Sequence, residues 1–137
     1  MIKFGEIQEA FFFVGSAEYG MHSAVLCKDT GRIFYRSEMG DLDEIDDENL
    51  NWDKCIEIPH KNDLDLGQVL VFEFAQMHLP GDYDRLRQMF RRPGAYGRFK
   101  DLLDAKRLLE TWYAFEGERE GQALRQWCKE NEIELSD

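Results

Sequence analysis

The sequence predicts an α+β fold: a small three-stranded antiparallel sheet with an N-terminal helix and a C-terminal bundle of about four helices. Three observations carry this prediction. Phe4, Ile7, Phe11 and Val14 recur at spacings of three and four, the period of an amphipathic helix. Up to Pro59 the segments that follow are short runs with strand-like alternation around Asp29-Thr30-Gly31. Beyond Pro59 the apolar residues recur with helical period to the end of the chain.

Taken in order, residues 4–14 form the first helix, which Gly15 can end; Phe12 and Phe13 fall off its apolar stripe. Met21 to Lys28 and Arg32 to Ser37 flank the Gly-containing loop as a hairpin. Ile33 and Tyr35 alternate with Arg32, Phe34 and Arg36, the pattern of a half-buried strand. Lys54 to Pro59 makes the third strand, stopped by its proline. No parallel crossover is implied, so a meander is expected. Leu64 to His78 then carries Leu66, Leu70, Phe74 and Met77 on one helical face and stops at Pro80. Tyr83 to Phe90 is a short helix ended by Arg92-Pro93-Gly94, and Ala95 to Leu103 stacks Tyr96, Phe99 and Leu103. Lys106 to Glu130 is the longest helix, with Leu108, Trp112, Phe115, Ala123 and Trp127 as its buried side. Gly117 and Gly121 weaken its middle by about 1 kcal/mol each relative to alanine, and mark either a close backbone approach or a bend. Trp112, Phe115, Phe99, Leu103, Leu70 and Phe74 are expected to share one cluster.

At 137 residues the chain suits a single domain, 1–137, able to bury a core without disulfides or metal. With 43% hydrophobic and 13% aromatic residues it is not a disordered tail. No apolar run approaches the about 20 residues that span a bilayer. The start Met1-Ile2-Lys3-Phe4-Gly5-Glu6 lacks the basic region and cleavage site of a signal peptide. Cys27, Cys55 and Cys128 are an odd, widely spaced set, as expected of free thiols in a reducing compartment. A soluble cytoplasmic protein without membrane contact is expected.

The net charge of −11 disfavours nonspecific adhesion to nucleic acid or anionic membrane. The charge is unevenly spread: residues 1–79 hold 16 acids and 6 bases, whereas 80–137 hold 12 and 11. Within 85–107, eight bases face only Asp101 and Asp104. Between the second and third strands, Glu38 to Glu48 holds seven carboxylates and no base. An EF-hand starting at Asp41 would need an oxygen ligand, glycine and glutamate where the chain has Ile45, Asp46 and Trp52. That segment reads as a solvated charged loop able to face a basic partner.

Catalytic and metal-binding residues are not indicated. His22, His60 and His78 fit no metal-ligand spacing, there is no Cys-x-x-Cys pair, and no nucleophile elbow, P-loop or dinucleotide fingerprint occurs. No cofactor is implied. Each cysteine reads as a small buried hydrophobe. The strongest local feature is Arg92-Pro93-Gly94 leading into a helix with Gly97, Arg98 and Lys100. Helix starts of this kind can hold phosphate or carboxylate, so Arg92, Gly94, Gly97, Arg98 and Lys100 are the candidate ligand-binding residues. The plainer reading, which is preferred, is a tight helix–helix turn whose arginines lie over aromatic rings or pair with acids.

Gly94-Ala95-Tyr96-Gly97-Arg98-Phe99-Lys100-Asp101-Leu102-Leu103, followed by Glu110-Thr111-Trp112-Tyr113-Ala114-Phe115 and by Trp127 with Asn131, carries a family resemblance. It is similar to uncharacterised protein family 0158, small bacterial proteins marked by a Gly-x-Gly-Ala-Phe-x-x-Phe-Lys run and a Trp-Tyr-x-Phe helix. The resemblance covers the chain from about Ala24 onward and is most specific from Gly94 to Trp127. The chain departs from the pattern at Arg92-Pro93, where the family often has a Gly-containing pair, and at Tyr96 in place of phenylalanine. Since the family has no assigned activity, the resemblance implies a consistent fold and no catalytic residues.

The expected function is that of a small noncatalytic binding or protein-interaction module using the acidic loop and exposed aromatics on a protein partner. The alternative is phosphate-directed binding of RNA or a nucleotide through the basic Gly94–Lys100 helix start. Basic and aromatic side chains on one exposed face would favour the alternative; burial of Tyr96, Phe99 and Trp112 would remove its stacking platform. The oligomeric state is not legible in the sequence.

Overall fold

A computed structural model describes residues 2–136 of the chain. Its fold is α+β, with one three-stranded antiparallel sheet, a helix before it and further helices after it. The chain forms two compact units: everything up to Leu64 joined by the stretch from Ala123 onward, and Asp65–Gln122.

In the first unit, α1 (Phe4–Gly15) buries Phe4, Ile7, Ala10, Phe11 and Val14, the expected stripe widened by Ala10. Phe12 points out at 61% exposure, while Phe13 stacks on the His22 ring at 4.3 Å. The helix packs on β1 (His22–Cys27), which pairs antiparallel with β2 (Ile33–Ser37) and β3 (Cys55–Glu57). The sheet order is β2-β1-β3, so the sheet is not a meander. The reason lies in β1: Ala24, Val25, Leu26 and Cys27 are all buried, a continuous apolar run that suits a central strand. All five β2 residues are only half-buried, which suits an edge. The long segment after β2 carries the chain to the opposite side of β1.

That segment is organised on one cation. Arg36 donates from Nε to Asp43 (2.8 Å) and from Nη2 to Asp47 (3.1 Å) and the Ile45 carbonyl (2.7 Å). Ile45 is the buried residue of the loop, at 6% exposure. Asp46 accepts from the Asn49 side chain at 2.6 Å and from the backbone N–H of Glu48 and Asn49, and the Asn49 bonds lead in holding its carboxyl below the usual carboxylate range. With Glu44 accepting from the Tyr35 N–H at 3.1 Å, four of the seven carboxylates are tied to β2 or within the loop.

In the second unit, α2 (Gln68–His78) begins four residues later than expected. A 3-10 turn at Lys61–Leu64 comes first, and Asp65 at φ +56 takes the left-handed conformation, which stops that turn from continuing as a helix. Val71 and Ala75 join Leu70 and Phe74 in the buried stripe. They move its centre so that Met77, expected inside, lies roughly a quarter turn away and is 62% exposed. A 3-10 turn at Pro80–Asp82 leads to α3 (Tyr83–Met89), followed by α4 (Ala95–Ala105) and α5 (Leu109–Glu130).

The expected aromatic cluster forms here. Trp112, 2% exposed, meets Phe74 edge-on at 5.3 Å and Phe99 at 5.1 Å, and Phe115 closes against Phe74 at 5.5 Å. Leu70 and Leu103 are buried with them. The buried side of α5 differs from expectation beyond Gln122: Ala123 and Trp127 are half-buried, whereas Leu124 and Cys128 are fully enclosed. The two ends of this helix belong to different units, so one stripe cannot serve both. A Cβ placed on Gly117 or Gly121 would meet nothing within 4 Å, so no backbone approaches either glycine, and the helix runs through both.

Two helices end in the same way, without glycine. After α4, Arg107 sits at φ +58, with Arg107 N–H donating to Asp104 and Leu108 N–H to Leu103. After α5, Glu132 sits at φ +58, with Glu132 N–H donating to Lys129 and Ile133 N–H to Cys128. Both are Schellman endings in which a side chain occupies the position glycine favours. Glu132→Gly is expected to raise the unfolding free energy by about 1 kcal/mol by removing the left-handed penalty. Urea denaturation checks this, and an unchanged midpoint would contradict it.

Candidate anion site

The turn between α3 and α4 is anchored from below and charged above. Leu86 and Phe99 are fully buried and Phe90 nearly so, and Phe90 meets Tyr96 at 5.1 Å and Phe99 at 5.9 Å. Phe90, Arg91 and Arg92 donate in succession to the carbonyls of Leu86, Gln88 and Met89 (3.0–3.2 Å), winding the end of α3 tightly. Gly94 caps α4 at φ +77. Gly94→Ala is expected to cost about 1–2 kcal/mol, since an L-residue there is strained. A thermal melt reads the effect, and a full wild-type melting temperature in the variant would contradict it.

This rigid turn places Arg85, Arg91, Arg92 and Arg98 around one open concavity of about 570 Å³, with Gln88 and Met89 completing its lining. Arg98 is positioned by the turn itself: its Nη2 donates to the Pro93 carbonyl at 3.0 Å and more weakly to that of Met89 at 3.5 Å. Arg85 has a long contact with Asp82, 3.9 Å, but Asp82 is more closely engaged by Lys106 at 2.9 Å. Arg91 and Arg92 are exposed, and among the described residues neither has an acidic partner. Four guanidiniums lining one concavity raise the local potential and present planar forks suited to phosphate or carboxylate oxygens.

Of the residues expected to bind a ligand, Arg92 and Arg98 line the concavity. Gly94 contributes the turn, Gly97 faces open space, and Lys100 lies elsewhere, its ammonium 5.7 Å from the Tyr113 ring centre. Arg85, Gln88, Met89 and Arg91 were not foreseen. For Arg85, Gln88 and Met89 the signal was spacing, since 85, 88, 89 and 92 recur at three, four and seven residues; Arg91 lies off that stripe, in the turn after α3, and had no such signal. The aromatic platform is mostly absent, because Phe99 and Trp112 are buried; Tyr96 keeps 38% exposure.

A second polar concavity lies in the first unit, about 90 Å³, where Tyr19, His22, His60 and Asp63 come together. Each has a structural partner there. Tyr19 donates to Asp63 at 3.0 Å, which also accepts from the His60 N–H at 3.0 Å. The buried His60 ring lies 3.3 Å from the Ala17 carbonyl through Nε2 and accepts from the Asn62 N–H through Nδ1. His22 Nδ1 is 2.9 Å from the Phe13 carbonyl and 3.0 Å from Ser16 Oγ. Two histidines distant in sequence thus share a site, but His22 Nδ1 and both His60 nitrogens are engaged in holding the backbone around them. Among the described residues, no group of three or more His, Cys, Asp or Glu side chains is placed to hold a metal ion, and no helix is long and apolar enough to cross a membrane.

No protein-family model matches this chain, and neither a curated protein nor a solved structure matches it.

Proposed function

We propose that this chain is a noncatalytic, phosphate-directed binding module that uses the Arg85–Arg91–Arg92–Arg98 concavity. The observation carrying this reading is that four arginines line one cavity while Arg91 and Arg92 lack an acidic partner among the described residues. In a chain of net charge −11, cations left unneutralised at one place create a local attraction that the remaining surface opposes. The ligand is held by its phosphates: burial of Phe99 and Trp112 leaves little for bases to stack on, so nucleotides and RNA are bound with little base preference. The work is cytoplasmic, a placement supported by three cysteines that remain free thiols. Membership of family 0158 belongs to this proposal too, and adds no residue to it.

A protein partner is the second reading. It is favoured by Met39, Leu42 and Trp52, apolar side chains 68%, 40% and 42% exposed beside the acidic loop. Titration of pyrophosphate, a nucleoside triphosphate and a short RNA into the wild-type chain and an Arg91→Ala/Arg92→Ala variant separates the two readings. Saturable binding that weakens with salt and is lost in the variant supports the anion site. Equal binding by both proteins, or none by either, favours the protein partner.

A further inference from the structure

We propose that Cys27 and Cys55 form a peroxide-responsive dithiol that closes into a cross-strand disulfide, joining β3 covalently to β1. The two residues are direct partners in the antiparallel register of these strands. Their position in the ladder is the one that favours a bridge. Lys28 N–H donates to the Lys54 carbonyl and Ile58 N–H to the Ala24 carbonyl, each at 2.8 Å. Hydrogen-bonded pairs alternate along an antiparallel ladder, so Cys27 and Cys55 occupy a non-hydrogen-bonded pair. Side chains approach most closely there, with Cα atoms about 4.5 Å apart, inside the range that a disulfide spans. The two Sγ atoms are 2.6 Å apart.

The surroundings divide the roles. Cys27 is on the central strand and 5% exposed, with its N–H given to the Arg32 carbonyl and its own carbonyl accepting from Gly31. Burial, helped by the hydrogen bond to Cys55, pushes its thiol up to about 12, which disfavours Cys27 as the first nucleophile. Cys55 is half-buried on an edge strand and is the sulfur an oxidant reaches first. Cys128 is buried, its thiol also raised by burial, and lies outside the pair.

With hydrogen peroxide the chemistry balances in two steps. The Cys55 thiolate attacks one peroxide oxygen and the O–O bond breaks; the departing hydroxide takes a proton as water, leaving Cys55 as sulfenic acid. The Cys27 sulfur then attacks the Cys55 sulfur, forming the S–S bond and breaking S–O. The hydroxide released takes the Cys27 proton as a second water. Two electrons from the two thiols reduce one peroxide. The product closes a loop over residues 27–55 that contains the hairpin turn, β2 and the whole acidic segment.

The test exposes the reduced full-length chain, in its folded state, to hydrogen peroxide, alkylates the remaining thiols, and reads intact mass and tryptic peptides. The expected product has lost two hydrogens, carries residues 4–28 linked to 55–61, and retains one alkylated cysteine, Cys128. In a Cys27→Ala variant the Cys55 sulfenic acid should persist and be captured by dimedone, whereas the wild type should yield almost none. Wild-type mapping stands by itself if that variant does not fold. Sulfinic acid on Cys55 with Cys27 alkylated, a dimer bridged through Cys55, or alkylation of all three thiols would overturn the proposal.

Discussion

Trp112→Ala is expected to lower the unfolding free energy by about 3–5 kcal/mol, the range for removing a large aromatic from a packed core. Its indole is the hub of the second unit, in edge contact with Phe74 and Phe99 and facing Phe115, and is 2% exposed. The loss combines the transfer of its apolar surface with the cavity left among three rings that are themselves held by helices. Phe115→Ala should cost less, because Phe115 is only half-buried and Arg119 covers part of its ring at 5.0 Å. Urea denaturation with tryptophan fluorescence and circular dichroism measures both. A loss below about 1 kcal/mol for Trp112→Ala would show that the cluster does not hold this unit together.

Charge reversal at the concavity should have the opposite profile, a large effect on binding and little on stability. Arg91 and Arg92 are exposed, and among the described residues neither makes an ion pair. Arg91→Glu with Arg92→Glu should remove two charge-assisted contacts to a phosphate, each about 1.5–3 kcal/mol, and so reduce affinity at least about tenfold per residue. Arg87→Glu, on α3 but outside the concavity, should change affinity only modestly through the long-range field. Calorimetric titration of pyrophosphate reads all three charges. Equal losses from Arg87→Glu and Arg92→Glu would mean that general charge, rather than this cavity, attracts the anion.

Local periodicity made most of the fold legible. The Phe4–Val14 stripe, the hairpin around Asp29-Thr30-Gly31 and the stop at Pro80 are each fixed by residues close in sequence, and each appears where the pattern placed it. Strand order was not legible, because three residues of β3 can pair with either neighbour. The choice depends on which strand can be buried from both sides, a property of the assembled sheet. The same limit hid the Cys27–Cys55 pairing, which exists only once β3 lies beside β1. At the anion site the glycines drew attention toward the start of α4. Arg98 and Lys100, two positions apart on that helix, cannot face one ligand, and the complementary cations came instead from α3 and the turn that follows it.

The most direct test of the anion site is to follow the arginine Nε–Hε resonances of the full-length chain by NMR as pyrophosphate is added. Arg85, Arg91, Arg92 and Arg98 are expected to shift together along one saturable curve and to return toward their free positions as sodium chloride is raised. Shifts confined to arginines outside the concavity, such as Arg32, Arg119 or Arg125, or no shift at all, would contradict it.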